Sequence, residues 1–453
     1  MEAKHIKHLY NRIGFGITPN QTYHLVGLSK KEIVNQLFNT SKNTTPLTVK
    51  VDFNFNDLKD KTRRRELVKK SKRKLKEYNI AWIDRLFNPA ELLREKMTLF
   101  WANHFVCKDN NILLVQQYNN LLRKNALGNF GDFVTKMAKE PAMLKYLNNR
   151  QNVKQNPNEN FARELMELFT LGQGNYTEKD IKESARAFTG YSNNFKGEFI
   201  LRKKKHDYDE KEFMGKTGNF YGEDIIEIIL QQKQCARFIS NKIYTYFVND
   251  NINKDHINQM VSVFYPKYDI KELMKFVLLS DWFYADENIG VKIKSPIEFL
   301  VGINTIVPFT INNKKHTFLI QRLLGQTLLN PPNVAGWKGG RNWIDSNTIV
   351  TRLRLPSVLL NNAEISYSDK GEFEDTVTDF NEKKLRKKVA IATITKWNVF
   401  TENFKNITID ELTQQIIITT INSGTAQLLK DTKNVSKQDF CIQLLSLPEY
   451  QLC

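Results

Sequence analysis

At 453 residues, with 41% hydrophobic and 11% aromatic side chains, the chain is long enough for a large core and far too apolar to be disordered. No run of about 18 apolar residues occurs, so no helix is expected to span a membrane. The net charge of +18 fits contact with nucleic acid, acidic glycans or a membrane surface, while four cysteines (Cys107, Cys235, Cys441, Cys453) without a CxxC pair argue against a disulfide framework or a cysteine-rich zinc site.

The opening MEAKHIKHLYNRIGFG lacks the basic start, apolar run and cleavage site of a signal peptide, which taken alone points to the cytoplasm. Residues 1–40 read as a short motif and a helix, with Ser29 and Glu32 at capping-box spacing. Residues 41–80 read as a polar linker running into a basic helix. From Lys59 to Lys76 the chain carries eleven Lys or Arg. A solvated helix face is the simpler reading of that run, and contact with a polyanion is the alternative. A second basic cluster, KKLRKK, spans residues 383–388.

Residues 81–360 are expected to form the main helical domain. Trp82, Leu86, Leu92, Leu93, Met97 and Phe100 recur at helical spacing, broken at Asn88–Pro89. Helices are predicted at 113–126, 130–140 and 141–149. Residues 158–190 read as a helical hairpin, with Thr177 capping onto the turn of Asp180, and Gly172 and Gly190 at helix C-termini. Residues 191–222 break the pattern and read as a β-hairpin or long ordered loop, which is uncommon inside a compact domain. Helices resume at 223–250, 255–264 and 269–280. The Pro/Gly/Trp-rich stretch LGQTLLNPPNVAGWKGGRNWID excludes regular helix. An acidic loop at 361–382 and a helical segment at 383–453 complete the chain. Leu-Leu-Ser followed by an aromatic recurs at 278–284 and 444–450, an echo that suggests a shared helix-ending device.

The stretch NENFARELMELFTLG poses the sharpest chemical question. As a helix it aligns Asn160, Arg163, Glu164 and Glu167 at i, i+3, i+4 and i+7, with Phe161, Leu165, Leu168 and Phe169 opposite. Two carboxylates one turn apart suit an acid/base pair or two metal ligands, and Arg163 at i−4 from Glu167 is expected to hold that carboxylate ionised. An ordinary exposed helix face carrying an Arg–Glu pair is the plainer reading. Among the seven histidines, His8, His104 and His206, the last beside Asp207, are the acid/base or metal candidates. Neither HxH nor HExxH spacing occurs. GKTG at 215–218 fails as a phosphate loop, because the glycine needed five residues earlier is Glu210. Trp337 and Trp343, framed by turns, suit stacking on a sugar, a base or a cation, or pinning of a rigid loop.

Taken together, HLYNRIGFG, REKMTLFWANHF, LRKNALGNFGDFVTKMAKEPAMLKYLNN, NENFARELMELFTLGQGNYTEKDIKESARAFTGY, HDYDEKEFMG, KSPIEFLVG and LGQTLLNPPNVAGWKGG resemble, in order and spacing, the bacterial domain of unknown function 1800 family. The resemblance implies kinship and no activity. It places His8, Arg12, His104, Asn160, Arg163, Glu164, Glu167, Arg186, His206, Asp207, Lys294, Glu298 and Trp337 inside family motifs. The chain departs from the family pattern at Phe169, where a His is usual, and at Tyr191, where a Trp is usual, so no histidine base or ligand exists at 169. Many relatives look exported beside members of the domain of unknown function 1501 family, which resembles sulfatases and carries a twin-arginine signal. By analogy such a partner would carry this chain out folded.

The expected fold is mainly α, a large multi-helix domain with a β-hairpin or loop excursion around 195–222. Two functions are carried forward. In the first, an enzyme acts on a cell-envelope or extracellular polymer. Glu164, Glu167, His104, His206 and Asp207 do the chemistry there, and His8, Arg12, Asn160, Arg163, Arg186, Lys294, Glu298 and Trp337 hold the substrate. In the second, a non-catalytic helical scaffold binds a partner protein or a polyanion, and the same polar residues brace its helices. The sequence names no cofactor and no metal.

Overall fold

The computed structural model describes residues 1–53, 61–194, 196–265, 267–367, 387–431 and 435–453. Lys59 of the basic run, residues 368–382 of the acidic stretch and residues 383–386 of the second basic cluster lie outside them. The fold is mainly α: the described residues hold 21 α-helices, and their strands pair only in two-stranded sheets. Two of these sheets are the excursion expected around 195–222. Tyr191–Asn193 pairs antiparallel with Phe199–Leu201, and Lys211–Phe213 with Lys216–Gly218.

The chain divides into two compact units. One holds residues 28–288 and 328–338; the other holds residues 1–27, 289–327 and 339–453. In the first unit, Ser29 and Thr177 open helices with capping boxes completed by Glu32 and Asp180. The long helix Lys61–Phe87 stops where Asn88–Pro89 was expected to break it. Helices Leu92–His104 and Ile112–Asn125 follow it. Residues 223–250 form two helices rather than one, Gly222–Leu230 and Lys233–Phe247.

The core of this unit is aromatic. Trp101 meets Phe133 edge-on at 5.3 Å and stacks on Phe105 at 5.7 Å. Beside it lies a fully buried ion pair. Arg123 donates through Nε to Glu95 Oε1 at 2.5 Å and through Nη2 to Oε2 at 3.1 Å, and both side chains are wholly enclosed. Trp82 Nε1 adds a third donor to Glu95, and the amide oxygens of Asn119 and Asn120 take Arg123 Nη1. A buried pair costs desolvation on both partners, so the neighbours that complete its hydrogen bonds are what make it tolerable.

The second unit is assembled from distant stretches. Helix Ala3–Ile13 contributes Ile6, Leu9 and Ile13 to its core. Strand Phe309–Ile311 pairs antiparallel with Thr393–Thr395, and Ile293 bridges Leu452. The guanidinium of Arg352, fully buried, ties this arrangement by donating from Nε to Gln451 Oε1 (2.7 Å) and from Nη2 to the Lys294 carbonyl (2.7 Å). Helix Ile409–Ile416 ends before the β-branched run that follows, which is not helical as expected. The Leu-Leu-Ser echo has a structural counterpart in each unit. Helices Ile270–Leu279 and Lys437–Leu445 both give way, after Ser280 and Ser446–Leu447, to single 3₁₀ turns, Asp281–Tyr284 and Pro448–Gln451.

Candidate functional site

The stripe on NENFARELMELFTLG is only partly α-helical. Asn160–Glu164 is α, and Leu165–Thr170 widens into π-helix. The cause is local. Thr170 donates its hydroxyl to the Leu165 carbonyl, five residues back, at 2.6 Å, and the Leu171 amide reaches Met166 O in the same i−5 register at 2.8 Å. Phe161, Leu165, Met166 and Phe169 face the core, while Asn160, Arg163, Glu164 and Glu167 are half-buried.

Within the stripe the partners differ from those expected of a regular helix. Arg163 does not serve Glu167. Its fork closes on Glu178 with two 3.0 Å bonds, and Nη2 also reaches Glu159 at 3.3 Å. Glu167 instead accepts the Tyr176 hydroxyl at 2.8 Å. The side chains of Asn160 and Glu164 make no hydrogen bond among the described residues. Burial, then the charge of Glu167, pushes the Glu164 carboxyl above its ordinary value, against the pull of Arg163. Of the stripe, Glu164 is therefore the carboxyl best suited to hold a proton.

His104 sits behind this helix, 3% exposed, among Phe100, Trp101, Phe105 and Phe169. Its Nε2 lies 3.1 Å from the Phe169 carbonyl. A carbonyl only accepts, so Nε2 carries the proton and Nδ1 is left buried without a hydrogen-bond partner. Burial, reinforced by the Lys242 charge, pulls its pKa far below the usual imidazole range. Lys242 donates to the Leu168 carbonyl at 3.0 Å, and burial lowers its pKa to about 8. Gln234 takes the Leu171 carbonyl. Three side chains from outside the segment thus satisfy carbonyls at its C-terminal end, and His104 is one of these braces.

His206, Asp207 and Arg186 come together at the other end of the hairpin region. His206 is 1% exposed; its Nδ1 donates to the Thr189 carbonyl at 2.8 Å, which leaves the lone pair on Nε2. Tyr221 stacks on the ring at 4.6 Å, and Tyr208 meets it edge-on at 4.8 Å. Burial lowers the His206 pKa. Arg186 Nε donates to Asp207 Oδ2 (2.8 Å) and Nη1 to Glu183 Oε2 (2.9 Å). Burial opposes ionisation of Asp207, but the Arg186 bond, the Asp209 amide and the nearby Lys211 outweigh it and hold the carboxylate below its ordinary pKa. Lys211, 1% exposed, fastens the loop by donating to the carbonyls of Asp207 and Asp209, both at 2.8 Å. Gly190 has φ +79°, and a Cβ there would stand 2.9 Å from the Arg202 carbonyl, so the turn that presents Thr189 to His206 requires glycine.

Trp337 belongs to the same unit, 9% exposed. Asn103 clamps its backbone from both sides: Oδ1 accepts the Trp337 amide at 2.8 Å and Nδ2 donates to its carbonyl at 3.0 Å. Gly336, at φ +77°, lets Asn103 approach, since a Cβ there would lie 2.3 Å from Oδ1. His8, Arg12, Lys294 and Glu298 lie in the other unit. His8 and Arg12 are buried on helix Ala3–Ile13, and Arg12 Nη1 lies 3.8 Å from Cys453 Sγ. Lys294 donates to the Tyr450 carbonyl at 2.9 Å and stands 3.5 Å over the Tyr450 ring. Glu298 completes a capping box with Ser295. The thirteen candidates therefore divide between two units rather than forming a single constellation within one of them. Among the described residues no group of three or more His, Cys, Asp or Glu is placed to hold a metal ion.

Sequence reasoning did not single out Lys242, Asn103 or Arg352, because each meets a partner far along the chain, nor Lys211, whose bonds to the carbonyls of Asp207 and Asp209 are local but follow no spacing that announces chemistry. The basic run was legible. On helix Lys61–Phe87 the inner positions Leu67, Ser71 and Tyr78 are buried, and Ser71 Oγ donates to the Asn110 carbonyl at 2.6 Å. The outer side exposes Arg64, Arg65, Lys69, Lys70, Lys72, Arg73 and Lys76. Lys74 pairs with Glu77 at 2.8 Å, whereas Arg64, Arg65, Lys69, Lys70, Lys72 and Arg73 form no ion pair among the described residues.

Comparison with known proteins gives one match. Residues 8–452 fit the model of a family described as "Protein of unknown function (DUF1800)". No curated protein and no solved structure matches the chain.

Proposed function

The chain belongs to the DUF1800 family, and on that premise we propose that it is a non-catalytic helical scaffold that binds a polyanion through the outer face of its basic helix. One contrast carries this reading. Of the residues suited to catalysis, His104 and His206 each commit one ring nitrogen to a backbone carbonyl, and Asp207 and Glu167 accept from Arg186 and Tyr176, while six exposed cations on one helix have no carboxylate partner among the described residues. Like charges at Arg65 and Lys69, Lys69 and Arg73, and Lys72 and Lys76 stand i, i+4, a spacing that weakens a helix by about 0.2–0.5 kcal/mol a pair. An anionic partner would turn that repulsion into attraction, and it would do so most strongly at low salt.

Retention on heparin tests the reading. The wild-type chain is expected to elute well above physiological salt, and K69E/K72E/R73E well below it. Equal elution of the two proteins at low salt would sink the proposal.

One observation supports an enzyme as second reading: Glu164 is half-buried beside Glu167, has no hydrogen bond among the described residues and is shifted toward its protonated form. On that reading the purified chain cleaves a cell-envelope polysaccharide and Glu164→Gln does not. Cleavage lost in E164Q would replace the scaffold reading.

A further inference from the structure

Resting on the polyanion reading, we infer that the basic helix face binds the phosphate backbone of double-stranded DNA without regard to sequence. Arg65, Lys69, Lys72, Arg73 and Lys76 are exposed at i, i+4, i+7, i+8 and i+11, so they form a ladder about 16 Å long on a straight helix. A row of like-signed cations complements the uniformly negative phosphates of a nucleic-acid backbone better than it does the mixed charges of a protein surface. The helix is no loose tail, because Ser71 accepts the Ile112 amide at 2.8 Å and donates to Asn110, which fixes the ladder's direction on the body of its unit. The acids described beside the ladder do little to offset it: Glu77 is taken by Lys74, and Glu66 is a single exposed carboxylate.

The composition of the face narrows the polyanion. Its apolar member, Val68, is half-buried at the edge, and it carries no aromatic side chain. Lying in a bilayer interface needs an apolar face to insert, and this one has none. Single-stranded nucleic acid is held chiefly by aromatic stacking platforms, which are also missing. Duplex RNA has a major groove too deep and narrow for a helix to lie between its two rows of phosphates. B-form DNA, by contrast, offers a major groove about as wide as a helix, flanked by two rows of phosphates. The contact is assigned to the backbone, where Lys and Arg neutralise phosphates without reading sequence.

The test is fluorescence anisotropy of a labelled 20-base-pair duplex with the full chain between 50 and 200 mM salt. Five phosphate contacts predict a slope of log K against log salt of about −4 to −5. K69E/K72E/R73E is expected to lose at least about tenfold in affinity and to flatten that slope by about 3. K69Q/K72Q/R73Q should fall between, and an unchanged circular dichroism spectrum shows that each variant folds. The inference is overturned if either triple variant binds like wild type. It is also overturned if the matching single strand, a poly(glycerol phosphate) chain or phosphatidylglycerol vesicles bind as tightly as the duplex. Retention on heparin without duplex binding would leave the polyanion reading standing and remove the DNA assignment. Failure on both would remove both.

Discussion

Glu140 shows how much a single buried carboxyl can decide. It is 4% exposed, Oε1 has no hydrogen-bond partner among the described residues, and Oε2 lies 3.5 Å from Gln117 Nε2. Burial pushes its pKa up to about 7, against the pull of the Ala142 amide and Gln117. Because the folded pKa lies above the unfolded one, the folded state binds the proton more tightly. Stability is therefore complete at low pH and falls as the pH rises through about 4.5 to 7, by roughly 3 kcal/mol at most. Glu140→Gln should remove this component, so in urea unfolding the midpoint at pH 8 relative to that at pH 5 should stand higher for the variant than for wild type. Parallel pH dependence in the two proteins would exclude Glu140 as its source. Asn103→Ala is the companion case. It strips both hydrogen bonds from the Trp337 backbone, and a loss of about 1–3 kcal/mol is expected in the same assay. Neither residue announces itself in the sequence. Glu140 before Pro141 looks like any helix start, and the partner of Asn103 lies 234 residues away.

Among elements, the π segment Leu165–Thr170 marks the boundary of what the sequence makes legible. The capping boxes at Ser29 and Thr177 and the break after Phe87 were readable because each depends on residues within one turn. The face of the stripe was readable too, since periodicity buries Phe161, Leu165 and Phe169. The widening to π was not, because 165–170 fits α-helical spacing equally well and its C-terminal carbonyls are taken by Lys242, His104 and Gln234 from remote segments. For the same reason the Arg163–Glu167 pairing looked natural on paper, while a turn of altered pitch and the arrival of Glu178 redirect the guanidinium. π-helical turns gather at functional sites, so their bracing can be tested apart from any activity. Lys242→Met leaves the Leu168 carbonyl without its donor, and a destabilisation of about 1–3 kcal/mol is expected. It should come with faster amide exchange confined to residues 165–172. Unchanged exchange there would mean that the π register holds without the Lys242 brace.

At the scale of the whole chain, the helical class was legible because long amphipathic periods survive any arrangement of the helices, whereas the division into two units was not. Residues 1–27, 289–327 and 339–453 share a core although more than 260 residues separate the first stretch from the second, and no local pattern encodes such a meeting. The first stretch brings Ile6, Leu9, Ile13, Phe15 and Ile17 into that core, each 5% exposed or less. Phe15 lies against Gly302, whose added Cβ would stand 3.2 Å from its carbonyl, and Gly16 approaches Thr305 in the same way. Burying five such side chains is worth roughly 7–15 kcal/mol at about 1.5–3 kcal/mol each, which matches the entire stability of an ordinary domain. Deleting residues 1–27 should therefore unfold this unit outright. The other unit takes nothing from residues 1–27, and its core around Trp101, Phe105, Phe130 and Phe133 lies within residues 28–288. Hydrogen exchange on the truncated chain is expected to show rapid labelling across helices Pro296–Ile306 and Ser346–Leu360 and retained protection across Leu92–His104 and Ile112–Asn125. Protection persisting in Pro296–Ile306 would show that this core closes without the first helix. Loss of protection in both groups would show that the chain unfolds as one cooperative body, whatever its division into units.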